Sequence, residues 1–233
     1  MSLDFDRVDL AEVSKHFGRR RAVSRINLRV QSGDVVGVLG PNGAGKSTLL
    51  GLLASLVTPS SGTIRYGERP VRDALGEVRG RIGLLAHELH LYTELTARQN
   101  LEFFARLHGL DARALVPGAL EAAGLADRAD DAVAGFSRGM RQRLALERAL
   151  LHRPRLVLMD EPFTGLDDRA VGLVADRMRA LAAAGSMVVM ATHDLDVAEG
   201  LVTRVAIIRD GRVMTDDTAH SGLRGRYRSI IGH

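Results

Sequence analysis

The chain has 233 residues, 45% of them apolar and 26% charged, an ordinary globular composition that suits one domain with an appended subdomain or two small ones. It has no cysteine, which excludes disulfides, zinc–thiolate sites and cysteine nucleophiles. Net charge is only +4, no apolar run nears the roughly 18–20 residues that cross a bilayer, and no charged-then-apolar leader follows Met1. The expectation is a chain that stays in the compartment where it is made.

In chain order, Ser24 to Val30 alternates apolar Ile26, Leu28 and Val30 with polar neighbours, the period of a half-buried strand. Gln31-Ser32-Gly33-Asp34 reads as a turn, and Val35 to Leu39 as a short buried strand. A glycine-rich loop and a helix over Ser47 to Leu56 follow, then strands at Thr63 to Tyr66 and Arg81 to Leu85. From Thr96 to Leu151 the pattern is helical. Thr96 with Gln99 is a capping box, and Leu101, Phe104, Ala105 and His108 share one face. Gly109 and Gly124 are helix stops, and Ser137 starts a helix that ends before Pro154.

Beyond it come a strand at Leu156 to Met159, a helix at Val171 to Leu181, a strand at Met187 to Met190 and a helix at Asp194 to Leu201. Val205 to Ile208 reads as the last strand, turned by Asp210-Gly211. Strands and helices alternating around a middle helical block predict an α/β fold with an inserted helical subdomain.

Gly40-Pro41-Asn42-Gly43-Ala44-Gly45-Lys46-Ser47 matches the phosphate-binding P-loop and lies between a strand and a helix, as that pattern requires. Its glycines let successive N–H groups turn inward, and the following helix adds its positive end. Lys46 would meet terminal phosphates, and the Ser47 hydroxyl would join a Mg²⁺ shell. Lys46 is one of only two lysines, the other being Lys15. The remaining basic residues are arginines, and the clusters Arg19 to Arg21 and Arg224 to Arg228 have Tyr227 as their one aromatic, so they read as solvated surface and no nucleic-acid partner is expected. Downstream, Leu156-Val157-Leu158-Met159-Asp160-Glu161 is an apolar strand ending in two acids at a sheet edge. Asp160 is placed to hold Mg²⁺ and Glu161 to polarise an attacking water.

Along nearly its whole length the chain resembles the ABC ATPase family. The resemblance is carried by Gly40 to Thr48, Phe136-Ser137-Arg138-Gly139-Met140, Asp160-Glu161-Pro162, Thr164-Gly165-Leu166-Asp167 and His193-Asp194. It implies a P-loop core with a mixed sheet, an N-terminal antiparallel β-subdomain and the inserted helical subdomain. The core would span 1–87 and 155–233, the helical part 88–154, within a single domain of 1–233. It implies ATP and Mg²⁺ as ligands, with Phe17 stacking on adenine and Ser137, Arg138, Gly139 and Met140 meeting the γ-phosphate held by a second subunit. Asp167 would bridge the two subunits and His193 would sense the γ-phosphate. Ser137 supports that arrangement physically, since an N-capped helix aims free N–H groups and a positive dipole at whatever faces it. One P-loop and one signature per chain would pair twice in a symmetric dimer.

Three departures stand out. The family's usual glutamine after the strand Arg81 to Leu85 is His87, followed by Glu88; imidazole prefers softer ions than Mg²⁺, so Glu88 is an alternative donor. Arg138 replaces a usual glycine and Met140 a usual glutamine, while Ser137 and Gly139 remain, and hydrolysis is expected to persist. His87, Thr93 to Thr96, Phe136 to Met140 and Asp160 to Asp167 are similar to the haem-exporter ATPase of cytochrome c maturation; drug and lipid exporters share pieces of this pattern.

The resemblance therefore implies a transporter motor, peripheral on the inner face of the cell membrane, that moves transmembrane permease subunits docked near His87 to Tyr92, where Leu89, Leu91 and Tyr92 are expected to be exposed. A non-transport ABC ATPase serving cell division is the alternative from another class. A P-loop kinase or GTPase leaves Phe136 to Met140 unexplained.

Overall fold

The structure, a computed structural model, describes residues 4–73, 75–219 and 222–232, with only the backbone of Asp73. The chain ends Met1 and His233 lie outside these residues. The chain opens with an antiparallel hairpin of β1 (Arg7–Phe17) and β2 (Arg20–Gln31). The alternation seen in sequence is realised in β2, which buries Ile26, Leu28 and Val30 and turns Arg25, Asn27 and Arg29 outward. Next come β3 (Val35–Leu39), buried at every residue, α1 (Lys46–Leu53), β4 (Ser61–Tyr66) and β5 (Arg69–Pro70). The short α2 (Leu75–Arg79) leads to β6 (Ile82–Leu85).

The helical block holds α3 (Ala97–Leu107), α4 (Ala112–Ala122) and α5 (Arg138–Leu150). The capping box forms as expected. Gln99 N donates to the Thr96 hydroxyl at 3.1 Å and Thr96 N to the Gln99 amide oxygen at 3.0 Å. After the block come β7 (Leu156–Asp160), α6 (Asp168–Ala183), β8 (Met187–Thr192) and α7 (Leu195–Glu199). The chain finishes with β9 (Arg204–Arg209), β10 (Arg212–Thr218) and α8 (Leu223–Ile231).

Two elements correct the sequence reading. The strand at Val205 to Ile208 is not the last, because Asp210-Gly211 turns the chain into β10, and α8 follows. β10 is an edge strand with no buried residue, and its run Arg212 to Thr218 carries little apolar alternation to betray it.

Two sheets form. The first has the order β2-β1-β4-β5 and the second β10-β9-β3-β8-β7-β6. In the second, β3, β6, β7, β8 and β9 run parallel and β10 runs antiparallel to β9, so the sheet is mixed. One core fills the space between the sheets around α1, joining Leu28, Ile64 and Tyr66 to Val38, Leu158 and Val189. A second covers the opposite face of the mixed sheet with α5, α6 and α8, through Leu146, Met178 and Leu223. A third joins α3, α4 and α5 around Leu101, Leu120 and Leu144. This is the α/β architecture with a β-subdomain and an inserted helical block that the resemblance implies. Among the described residues no helix is long and apolar enough to cross a membrane. Because β3, β6, β7 and β8 are parallel, the loops after Leu39, Leu85, Asp160 and Thr192 leave one edge of the sheet, where α/β proteins place their ligands.

Candidate active site

At that edge lies a cavity of about 810 Å³, lined by segments far apart in sequence. Its floor is the loop between β3 and α1. Gly45, the cap of α1, has φ 109°, and a Cβ there would lie 2.6 Å from the Ala22 carbonyl and 2.9 Å from Val23 Cγ1, so glycine alone fits. Gly40 abuts the backbone of Ile208 in the same manner. No side chain caps α1, which leaves its leading N–H groups and the positive end of its dipole for an anion. Asn42, Gly43, Gly45, Lys46, Ser47 and Thr48 line the cavity, whereas Ala44 is buried beneath it and Pro41 contributes backbone. Lys46 is only 8% exposed, and its ammonium donates to the carbonyls of Gly40 at 2.7 Å and Pro41 at 3.3 Å. The loop thus holds the lysine at its own mouth.

The two acids arrive from β7. Asp160 closes the strand opposite Ala191 of β8, and the next residue, Glu161, turns with φ 53°, a left-handed conformation uncommon for a side chain of its type. Glu161 N–H donates to the Ala191 carbonyl at 2.8 Å and holds that turn. Its Oε1 meets His193 Nδ1 at 2.9 Å, and its Oε2 lies 3.4 Å from the Thr192 hydroxyl.

The β1–β2 hairpin forms the opposite wall. Phe17 pairs with Arg20 across the turn, and both line the cavity. Phe17 is 52% exposed, with the Lys15 ammonium over its ring, 5.1 Å from the centroid. His87, from the loop after β6, completes the lining with Thr164 and Ala22. Glu88 does not reach the cavity lining, so of the two it is His87 that faces the site. Among the described residues no group of three or more His, Asp or Glu could hold an ion unaided. Ser47 and Asp160 offer oxygens to one cavity and fit an ion that shares its shell with phosphates and water, as Mg²⁺ does, while His87 brings a softer nitrogen donor to the same lining.

Ser137 to Met140 and Asp167 lie outside this cavity. Ser137 caps α5, its hydroxyl accepting from Met140 N at 3.2 Å, and Ser137 and Arg138 are exposed. The Arg138 stem lies on Gly165, and Gly139 packs beside Gly165 and Leu166. Asp167 caps α6 by accepting from Ala170 N at 2.8 Å. Buried Gln142 donates to the Pro162 carbonyl at 3.1 Å, tying α5 to the loop after Glu161. Behind it, Arg177 of α6 makes a bidentate bridge to Glu147 of α5, 2.9 Å at each oxygen. Glu147 is 3% exposed. Burial raises its pKa while Arg177 opposes the rise.

Sequence reasoning missed Arg20, Ala22 and Thr192, and gave Thr164 no place in the site. It also expected Leu89 and Leu91 to be exposed. Both are half-buried against the neighbouring cores, whereas Tyr92 is exposed as expected, together with Phe103 and Leu107. Tyr92 and Phe103 stack edge to face with centroids 5.1 Å apart.

A family model described as ABC transporter matches residues 23–164. The Nod factor export ATP-binding protein I of Burkholderia lata is 39% identical over 217 residues, 92% of this chain and 71% of that protein. The daunorubicin resistance ATP-binding protein DrrA3 of Streptomyces coeruleorubidus is 44% identical over 216 residues, 91% of this chain and 67% of that protein. Among solved structures, the dimeric post-hydrolysis state of the ATP-binding cassette MJ0796 bound to ADP and Pi superposes with a TM-score of 0.83 at 28% identity, over 92% of this chain and 99% of that one. A phosphate cradle facing two strand-end acids, in a span that matches over more than half of the chain, leads to one conclusion: the chain belongs to the ABC transporter family, as an ATP-binding and ATP-hydrolysing subunit.

Proposed function

We propose that two such subunits close around two MgATP molecules and that this closure drives the transmembrane permease subunits of an exporter. The N–H groups and Lys46 of the loop Gly40, Pro41, Asn42, Gly43, Ala44, Gly45, Lys46, Ser47 and Thr48 take the phosphates, while Phe17 stacks on adenine. Ser47, Asp160 and His87 would hold Mg²⁺, which would supply charge neutralisation to the bound triphosphate. Glu161 accepts the proton of the attacking water, and His193 steadies its carboxylate and senses the γ-phosphate. Ser137, Arg138, Gly139 and Met140 of one subunit cover the triphosphate held by the other, and Asp167 bridges the pair.

The observation that carries this reading is the exposed, capped start of α5. Ser137 and Arg138 stand outside their own chain's cavity and in solvent, so they complete a nucleotide site only when a second subunit presents one. The test is Glu161→Gln with MgATP, examined by light scattering. Mass should double, and a species that stays monomeric at high concentration, with membrane partners supplied, overturns the proposal.

The permease contact would use Tyr92, Phe103 and Leu107 near the loop after β6, and the subunit would sit peripherally on the inner face of the membrane. The boundaries 1–87 with 155–233 for the core and 88–154 for the helical part follow the same reading. Its finer form is haem export for cytochrome c biogenesis, resting on His87, Thr93 to Thr96 and Phe136 to Met140. The alternative, drug or lipid export, is favoured by the names of the two relatives, one in Nod factor export and one in daunorubicin resistance. Co-purified membrane subunits, tested for haem or drug transport, separate the two.

A further inference from the structure

Thr192 ends β8 at the cavity edge and is 1% exposed, so its hydroxyl has no access to water. A threonine hydroxyl has one proton to give and two lone pairs to receive with. Asp194 N–H donates to it at 3.0 Å, which fixes the oxygen's orientation and leaves its proton to find an acceptor. The acceptor in reach among the described residues is Glu161 Oε2, at 3.4 Å. The other oxygen, Oε1, is already met by His193 Nδ1 at 2.9 Å. The Glu161 backbone is held as well, by its N–H on Ala191 and its left-handed φ of 53°.

We propose that Thr192 is a positioning residue for Glu161, donating its hydroxyl proton to Oε2 so that, with His193 on Oε1, the carboxylate plane is fixed towards the attacking water. The separation of 3.4 Å is long for an O–H···O bond, and hydrogen bonds around catalytic groups commonly shorten when the reacting complex forms. Thr192 does not line the cavity. It acts through Glu161, so the proposal rests on the reading of Glu161 as the base.

The test compares Thr192→Val, Thr192→Ala and Thr192→Ser in the intact chain, measuring kcat and, by equilibrium binding, MgATP affinity. Valine keeps the branched shape and removes the donor. It should lower kcat by about 5-fold and leave nucleotide affinity within about 2-fold. Alanine should behave alike if valine impairs folding, and serine should restore the rate. In a Glu161→Gln background, Thr192→Val should change residual hydrolysis by less than about 2-fold, because the group it serves is gone. A Thr192→Val enzyme with wild-type kcat overturns the proposal, as does a serine variant as slow as valine. If Glu161→Gln itself hydrolyses ATP at the wild-type rate, the assignment of the base fails instead.

Discussion

Acidification should weaken this fold at one identifiable seam. His152, just beyond α5, stacks face to face on His108 at the end of α3, with ring centroids 4.3 Å apart. Its Nε2 lies 3.0 Å from the Ile82 carbonyl of β6, while its Nδ1 is buried without a hydrogen-bond partner among the described residues. Burial first, then the neighbouring His108 and the charges of Arg81 and Arg148, push its pKa down to about 4, against a weaker opposing pull from Ile82. Burial also lowers His108 and Arg148. A base whose folded pKa is depressed binds its proton better in the unfolded chain. Stability is therefore full above pH 6.5 and falls as pH drops from there towards 4. The gap between 6.5 and about 4, at about 1.4 kcal/mol per pH unit, corresponds to about 3 kcal/mol in all, of which about 2 kcal/mol is lost by pH 5. Urea unfolding of the nucleotide-free chain at pH 7.5 and pH 5.0 reads this directly, with the titration of all other groups cancelled by comparison with His152→Gln, which keeps an N–H for Ile82 and cannot titrate. The wild type should lose about 2 kcal/mol more than the variant between the two pH values. Equal losses in the two proteins would refute the reasoning.

Other perturbations bear on the site and its supports. Glu161→Gln should cut hydrolysis by at least about 100-fold while MgATP affinity, measured by equilibrium binding, is retained. Phe17→Ala should weaken MgATP binding by about 10-fold, through loss of a base–aromatic stack, and Phe17→Trp should recover it; unchanged affinity for the alanine variant removes Phe17 from the site. Gly45→Ala forces a Cβ to within 2.6 Å of the Ala22 carbonyl at a φ of 109°, so MgATP binding should be lost in titration calorimetry even if the fold survives. Arg177→Met leaves Glu147 buried without its bidentate partner and should destabilise the chain by about 2–3 kcal/mol in urea at pH 7, discounted for the partial exposure of Arg177, and less at pH 5 as Glu147 takes up a proton.

What the sequence by itself determined was chemistry written in local runs. The turn of Gly40 to Ser47, the caps at Thr96 and Ser137 and the acid-ended strand at Leu156 to Glu161 are each specified by residues a few positions apart, because backbone curl, capping and strand burial are short-range physics. Even there, edges blurred. β10 escaped notice because an edge strand without buried side chains needs no apolar period, and α8 because a short helix that buries Leu223 carries little of one. Tertiary structure alone decided which distant groups meet. Leu89 and Leu91 turn inward because the helical block and the mixed sheet supply apolar faces for them, and no local pattern encodes a neighbour that far along the chain. Arg20 enters the cavity through a hairpin register, and Thr192 reaches Glu161 only because β7 and β8 lie side by side. The stack of His108 on His152 likewise needs α3 and α5 packed together. Burial and strand adjacency set where these residues lie and what they meet, and both are properties of the folded sheet.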